Sequence, residues 1–285
     1  MPANADDLVD LLDLEDLDKN LFRGRQPDTA LQRVFGGQVA AQALIAGART
    51  TDPAYVAHSL HSYFLLPGDT AVPIIYDVEE LRDGRSFATR RVVARQHGRA
   101  IYYQTASFQR PEEGFEHQEA MPDVPPPEEG IDLGEMFRSR GGGNTMDWER
   151  EWAALDVRYV GNSQRGLPDD PSRPARARLW IRVNGDLPDA PVQHLAAFTY
   201  ASDMTLLGSS LVPHGVHVGS PGMQVASLDH TVWFHRPFRA DEWWLYDQES
   251  PSASGARGLA LARVFTQDGT LTATVAQEGL IRRRD

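Results

Sequence analysis

Three polar residues in the last third of the chain have types suited to activating a water: Asp203, Ser227 and Gln277. A carboxylate can take a proton, and a hydroxyl and an amide can hold a water and a carboxylate in one geometry. Asp203 lies in YASDMTLL, where its helical neighbours Thr199, Tyr200, Leu206 and Leu207 are mostly apolar. A charge there is disfavoured unless it is paired or opens on a pocket. Ser227 alternates with Val225, Asp229, Thr231 and Trp233, one face of a regular strand. Gln277 ends an apolar face of Leu271, Ala273 and Val275, and both ends of its amide need partners. Taken singly, each has a plain structural reading: an Asp at a helix end, a serine at the core edge, a glutamine closing a strand.

Other chemistries fit less well. There is no G-x-S-x-G elbow, and on a regular strand His230 faces away from Ser227, so a Ser-His-Asp relay is disfavoured. His58 and His61 are three apart in a strand, hence on opposite faces, and no HExxH occurs, so no metal site is expected. The chain has no cysteine, which removes thiol nucleophiles, disulfides and thiolate zinc. Gly141 to Gly143 lack the strand, helix and lysine of a phosphate loop and read as linker.

The elements that must position these residues come in two similar series. Leucines at helical spacing predict an amphipathic helix over residues 6–18, and residues 22–32 read as loop and extended chain. A small-residue helix follows from Phe35-Gly36-Gly37-Gln38 to Ala48. Strands are expected at 58–66, 73–81, 87–96 and 100–109, the last two joined at His97-Gly98. Residues 110–147 are rich in Pro, Gly and acids and read as a linker with one short helix near Leu133 to Ser139. Strands at 155–160 and 177–183 precede a helix from Pro191 to Leu207. Strands at 223–234, 243–249, 257–266 and 270–281 close the chain, with a hairpin at Asp268-Gly269.

Sliding the first series by 170 residues sets Tyr63-Phe64 on Trp233-Phe234, Pro67 on Pro237 and Tyr76-Asp77 on Tyr246-Asp247. A shift of one more residue sets Gln96 and Gly98 on Gln267 and Gly269. Each half is then a helix followed by an antiparallel sheet. In this alignment Ser227 meets Ala57, Gln277 meets Ala106, and Asp203 falls roughly at Gln38. One copy keeps a polar trio that the other largely lacks, which suits a duplicated unit with a single site.

VFGGQVAAQAL, HSLHSYFLLPGD, IIYDVEELRDGRSFATRRV, YYQTASFQ, FEHQEAMP, YASDMTLL, DHTVWFHRPF, SASGARG and TQDG with VAQEG run through the chain from residue 22 onward. In kind and order they resemble the type II acyl-CoA thioesterases. The resemblance implies an α+β fold of two fused hotdog domains, each an antiparallel sheet wrapped on a central helix. Residues 1–110 would form the first domain with its N-terminal helix, 111–152 the linker and 153–285 the second domain. It implies hydrolysis of fatty acyl-CoA to free acid and coenzyme A, with the family's Asp, Ser or Thr, and Gln falling on Asp203, Ser227 and Gln277. Substrate contacts are expected from Gly37 and Gln38, whose segment could supply amides to an oxyanion, and from His58. Arg85 and Ser86, with Arg257, sit at matching corners of the two halves and could reach the phosphates of coenzyme A. No cofactor is implied beyond the coenzyme A of the substrate, and homodimers or homotetramers are expected. An acyl-CoA-binding protein without catalysis is the competing reading. An enoyl-CoA hydratase is weaker, since it wants a His five residues after the Asp, where Gly208 stands.

Composition agrees with this. The 285 residues carry a net charge of −12, unlike the basic footprint of a nucleic-acid protein. No apolar run approaches the roughly 20 residues of a membrane helix. The acidic start is unlike a signal or transit peptide, and Arg282-Arg283-Arg284-Asp285 is not the peroxisomal tripeptide, so the cytoplasm is expected.

Overall fold

The computed structural model describes residues 1–139, 148–163, 167 and 169–284. Gly141 to Gly143 lie outside the described residues. The elements in order are α1 (Ala5–Leu12), β1 (Glu15–Asp18), β2 (Leu21–Gly24), α2 (Gly36–Arg49), β3 (Val56–Phe64), β4 (Ile74–Asp83), β5 (Phe87–Gln96) and β6 (Arg99–Gln109). Then come β7 (Ile131–Asp132), α3 (Leu133–Ser139), α4 (Trp148–Trp152), β8 (Leu155–Tyr159), β9 (Arg176–Val183) and α5 (Pro191–Ser202). Last are β10 (Met223–Ser227), β11 (Asp229–Phe234), β12 (Trp244–Ser254), β13 (Arg257–Thr266) and β14 (Leu271–Arg283).

All these strands join one antiparallel sheet in the order β1-β2-β4-β5-β6-β3-β11-β14-β13-β12-β9-β8-β7, with β10 pairing β14. The order around each helix is the same in both halves, β4-β5-β6-β3 against β12-β13-β14-β11. β5 and β13 differ by 170 residues at both ends. The halves meet at β3 and β11, where Asp229 pairs with Tyr63, Thr231 with His61 and Trp233 with Ser59. Under the offset, Ser59, His61 and Tyr63 are the counterparts of Asp229, Thr231 and Trp233. The seam therefore maps onto itself about the His61–Thr231 pair, as an isologous contact between two copies would.

Both copies also share a bulge. β3 shifts register against β6 between Ala57 and Ser59. On the other side Ser227 pairs with Gly279 and Thr231 with Ala276, four steps against three, so Leu228 is the extra residue. His58 and Leu228 are again 170 apart. A bulge resets which face the side chains use, and two expectations fail for that reason. Ser227 and His230 point to the same face, toward α5, bonding Asp203 and Ser202. His58 and His61 both lie on the face turned away from α2, against Ser107 and Trp233.

Three further boundaries differ from expectation. The first helix stops at Leu12 after burying Leu8, Leu11 and Leu12. Leu17, which extended the apolar pattern, is exposed in a hairpin that turns at Asn20 with φ 60°. α5 ends at Ser202, and the apolar run after it folds into a 3₁₀ turn, Leu206–Ser210, lying on the sheet. Glycine permits that approach: a Cβ on Gly279 would stand 2.2 Å from Leu207 Cδ1. The expected short helix Leu133–Ser139 is present, but the linker is not merely irregular. β7 joins the sheet edge, and Met121 and Val124 cover Val160, Trp180, Leu245 and Phe265. Trp180 Nε1–H donates to the carbonyl of Pro125 at 2.9 Å. The main core lies between the sheet and α2 and α5, which pack on each other.

Candidate active site

Asp203 is the C-cap of α5. Ser227 ends β10, and Gln277 lies on β14 two residues from Gly279, the pairing partner of Ser227. Residues at that diagonal share a face and reach one another. Ser227 Oγ–H donates to Asp203 Oδ1 at 2.8 Å. Gln277 Nε2–H donates to the same Oδ1, and lies 3.0 Å from Ser227 Oγ. A further donor comes from the other half: the N–H of Gly37, in the first turn of α2, points at the Asp203 carboxylate. Gly36 also lines it, since a Cβ there would stand 2.5 Å from Asp203 Oδ2.

Burial pushes the Asp203 carboxyl up to about 6, against the pull of Ser227, Gln277 and the Gly37 amide, which favour the anion. The same burial holds the nearby phenols of Tyr102 and Tyr246 well above their ordinary range, and the Asp203 charge adds to it. These groups stay neutral, and Asp203 is left near the pH where a base both ionises and accepts a proton. Gln277 is fully buried, and its Oε1 has no hydrogen-bond partner among the described residues. That oxygen is a ready acceptor beside the carboxylate.

The other expected contacts are dispersed. Gly37 is at the site, but its amide holds the carboxylate itself. The Gln38 side chain is buried and donates to Arg25 O and Gln26 Oε1, at 3.2 and 3.1 Å. His58 bonds Ser107 Oγ at 2.9 Å on the outer face of the sheet. Arg85 and Ser86 form the β4–β5 turn, where their carbonyls accept from Tyr55 and Arg110. Arg257 opens β13 and its Nε donates to Glu278 at 3.0 Å. Among the described residues, none of the hydrogen bonds of His58, Arg85, Ser86 or Arg257 involves the trio.

Residues from before α2 and from α4 also pack about the helix ends, and of these Thr29, Glu151 and Trp152 lie in none of the motifs read from the sequence. Phe35, which precedes the helix carrying Gly37, stands edge-on between Trp152 and Tyr200, at 4.7 and 5.1 Å between centroids. Buried Glu151 accepts from Thr29 Oγ1 at 2.5 Å and from the Ala30 N–H at 2.9 Å, tying down the loop before Phe35. Two adjacent residues of α4 thus hold the chain that leads into α2. Among the described residues no three His, Cys, Asp or Glu side chains stand together as metal ligands would. No described helix is long and apolar enough to cross a membrane.

Two family models match the chain: acyl-CoA thioesterase over residues 170–280, and the acyl-CoA thioesterase N-terminal domain over residues 25–109. Acyl-CoA thioesterase 2 of Haemophilus influenzae is 43% identical over 281 residues, covering 96% of each chain. The chain belongs to the type II acyl-CoA thioesterase family. The thioesterase also resembles the solved acyl-CoA thioesterase II TesB2 of Mycobacterium marinum, with a TM-score of 0.83 and 46% identity over 98% of this chain and 99% of that one. A protein of Alicyclobacillus acidocaldarius described as having a hot dog fold superposes with a TM-score of 0.75 at 22% identity, over 98% of each chain. The fold of the thioesterase is the expected α+β double hotdog, and it is an acyl-CoA thioester hydrolase.

Proposed function

We propose that this thioesterase releases free fatty acid from fatty acyl-CoA through a water activated by Asp203, with Ser227 and Gln277 orienting both. The observation carrying this reading is that one carboxylate oxygen accepts from both side chains while the Gln277 Oε1 beside it stays open. Such an array fixes a water between Asp203 and Gln277 and aims a lone pair at the thioester carbon. As the oxygen–carbon bond forms, the water proton passes to Asp203. The tetrahedral intermediate collapses, the carbon–sulfur bond breaks, and the thiolate recovers that proton as coenzyme A thiol. Apart from the Gly37 N–H, which Asp203 holds, the first turn of α2 offers amides and the positive end of a helix to the developing oxyanion. This sequence of steps needs no cofactor.

In this reading residues 1–110 and 153–285 are the two hotdog units and 111–152 joins them. Arg85, exposed at the β4–β5 turn, is available to a coenzyme A phosphate, while Arg257 would first have to leave Glu278. Thiol release from acyl-CoAs of graded chain length tests the proposal. Asp203→Asn is expected to lower kcat by about 10²–10⁴, the usual worth of a general base. Near-normal turnover in that variant would remove Asp203 as the base. Sedimentation velocity would report whether the chain forms the homodimer or homotetramer expected of it.

A further inference from the structure

The strand segment that supplies Ser227 grips the end of α5 at two points. Ser227 Oγ–H donates to Asp203, and three residues on, His230 Nε2 meets Ser202 Oγ at 2.8 Å. The Leu228 bulge makes this possible, because it turns both side chains to one face. Ser202 immediately precedes Asp203 and is fully buried, as is His230. The Ser202 hydroxyl gives its own proton to Thr199 O at 3.1 Å, so its oxygen accepts and His230 Nε2–H donates. The other ring nitrogen, Nδ1, is buried with no hydrogen-bond partner. Ser202 is therefore the only polar partner of the ring among the described residues.

Two more contacts complete the grip. Tyr246 O–H donates to Ser202 O at 2.9 Å from β12. Ser62 O–H donates to His230 O at 2.7 Å from β3, across the seam between halves. A helix end has unsatisfied carbonyls and frays unless held, and here the holding residue stands one position before the base. The repeat points the same way. The counterpart of His230 in the first half is Leu60, as Ala57 and Ala106 are the counterparts of Ser227 and Gln277. His230 is thus a third polar replacement, after Ser227 and Gln277, confined to the copy that holds the site.

We infer that His230 is a positioning residue for the hydrolysis, setting Asp203 through the hydroxyl of Ser202 and never touching substrate. This rests on the reading of Asp203 as the base. A neutral ring is required and is what burial gives, since it pushes His230 down to about 3.

The test compares His230→Leu, which installs the residue of the other copy, with His230→Gln, whose amide N–H reaches about as far as Nε2. Thiol-release kinetics and thermal melts are measured on both, with Asp203→Asn as control. Expected in His230→Leu is a kcat about 10–10² lower with KM within about threefold, the signature of a displaced base with binding intact. Expected in His230→Gln is recovery of most of that loss. Wild-type kcat in a folded His230→Leu overturns the inference, and so does a Gln variant that folds without restoring kcat. Should the Leu variant not fold, Ser202→Ala deletes the other end of the same bond. A lower kcat at unchanged KM then supports the inference, and unchanged kcat overturns it. A fully active Asp203→Asn control would instead sink the assignment of the base itself.

Discussion

Asp203 and Gly37 join two helix ends across the seam of the duplicated fold: the carboxylate at the C-cap of α5 accepts the N–H in the first turn of α2. The two termini act on the carboxylate in opposite senses. The carbonyl end of α5 disfavours a negative charge and the amide end of α2 favours it. Loss of water around the buried carboxylate outweighs its hydrogen bonds and leaves the acid near 6. Neither half holds such a carboxylate alone, which gives a physical reason for the proposed site to need both copies.

The pH dependence of turnover follows. A general base works only when ionised, so kcat/KM is expected to rise through an apparent pKa of about 6 and level off above it. The Ser227 hydroxyl favours the anion. Ser227→Ala should therefore move the rising limb to higher pH as well as lower the plateau. A pH–rate profile of both proteins checks this. A limb that stays put, or moves to lower pH, would contradict the hydrogen bond as the source of the pull.

The same shift has a signed effect on stability. The folded acid titrates near 6 and the unfolded one near 3.8. The folded state therefore carries a penalty above pH 6, which is relieved as pH falls through 6 toward 4. Asp203→Asn removes the charge, so it should stabilise the fold at pH 8 by up to about 3 kcal/mol, at roughly 1.4 kcal/mol per unit. The gain should roughly halve by pH 5. Denaturant unfolding of both proteins at the two pH values measures it. A destabilised variant at pH 8 would show that Asp203 contributes more as a hydrogen-bond acceptor than it costs as a buried charge.

Much of this architecture is legible in the amino-acid sequence, because a duplicated chain prints its register twice. The 170-residue offset places Ser227 on Ala57, and strands β5 and β13 repeat at that spacing. The bulges at His58 and Leu228 are not legible. An extra residue leaves the local apolar pattern almost unchanged while reversing every face after it. That is why strict alternation sets His230 on the wrong side and separates the two histidines of β3. The end of α5 is hidden for another reason: MTLL continues the apolar run, and only Gly258 and Gly279 across the sheet reveal a closer-lying 3₁₀ turn. Nor can Asp203 be matched with Gln38 by helix position, since one closes its helix and the other opens it.

The paired glycines that open α2 separate positioning from packing within two adjacent residues. A Cβ on Gly36 would meet Asp203 Oδ2 at 2.5 Å and the Phe64 ring at 2.8 Å. Both are side-chain atoms that can swing aside. A Cβ on Gly37 would meet the backbone oxygen of Tyr200 at 2.1 Å, which cannot yield without moving α5. Gly36→Ala is therefore expected to fold with little change in Tm and to lose about 10² in kcat, because the carboxylate is what gives way. Gly37→Ala should lose activity and also about 1–3 kcal/mol of stability, the usual cost of overpacking. Melts and kinetics on the two variants resolve them. If Gly36→Ala kept wild-type kcat, the carboxylate would have to tolerate displacement, and geometry at Asp203 could not limit the rate.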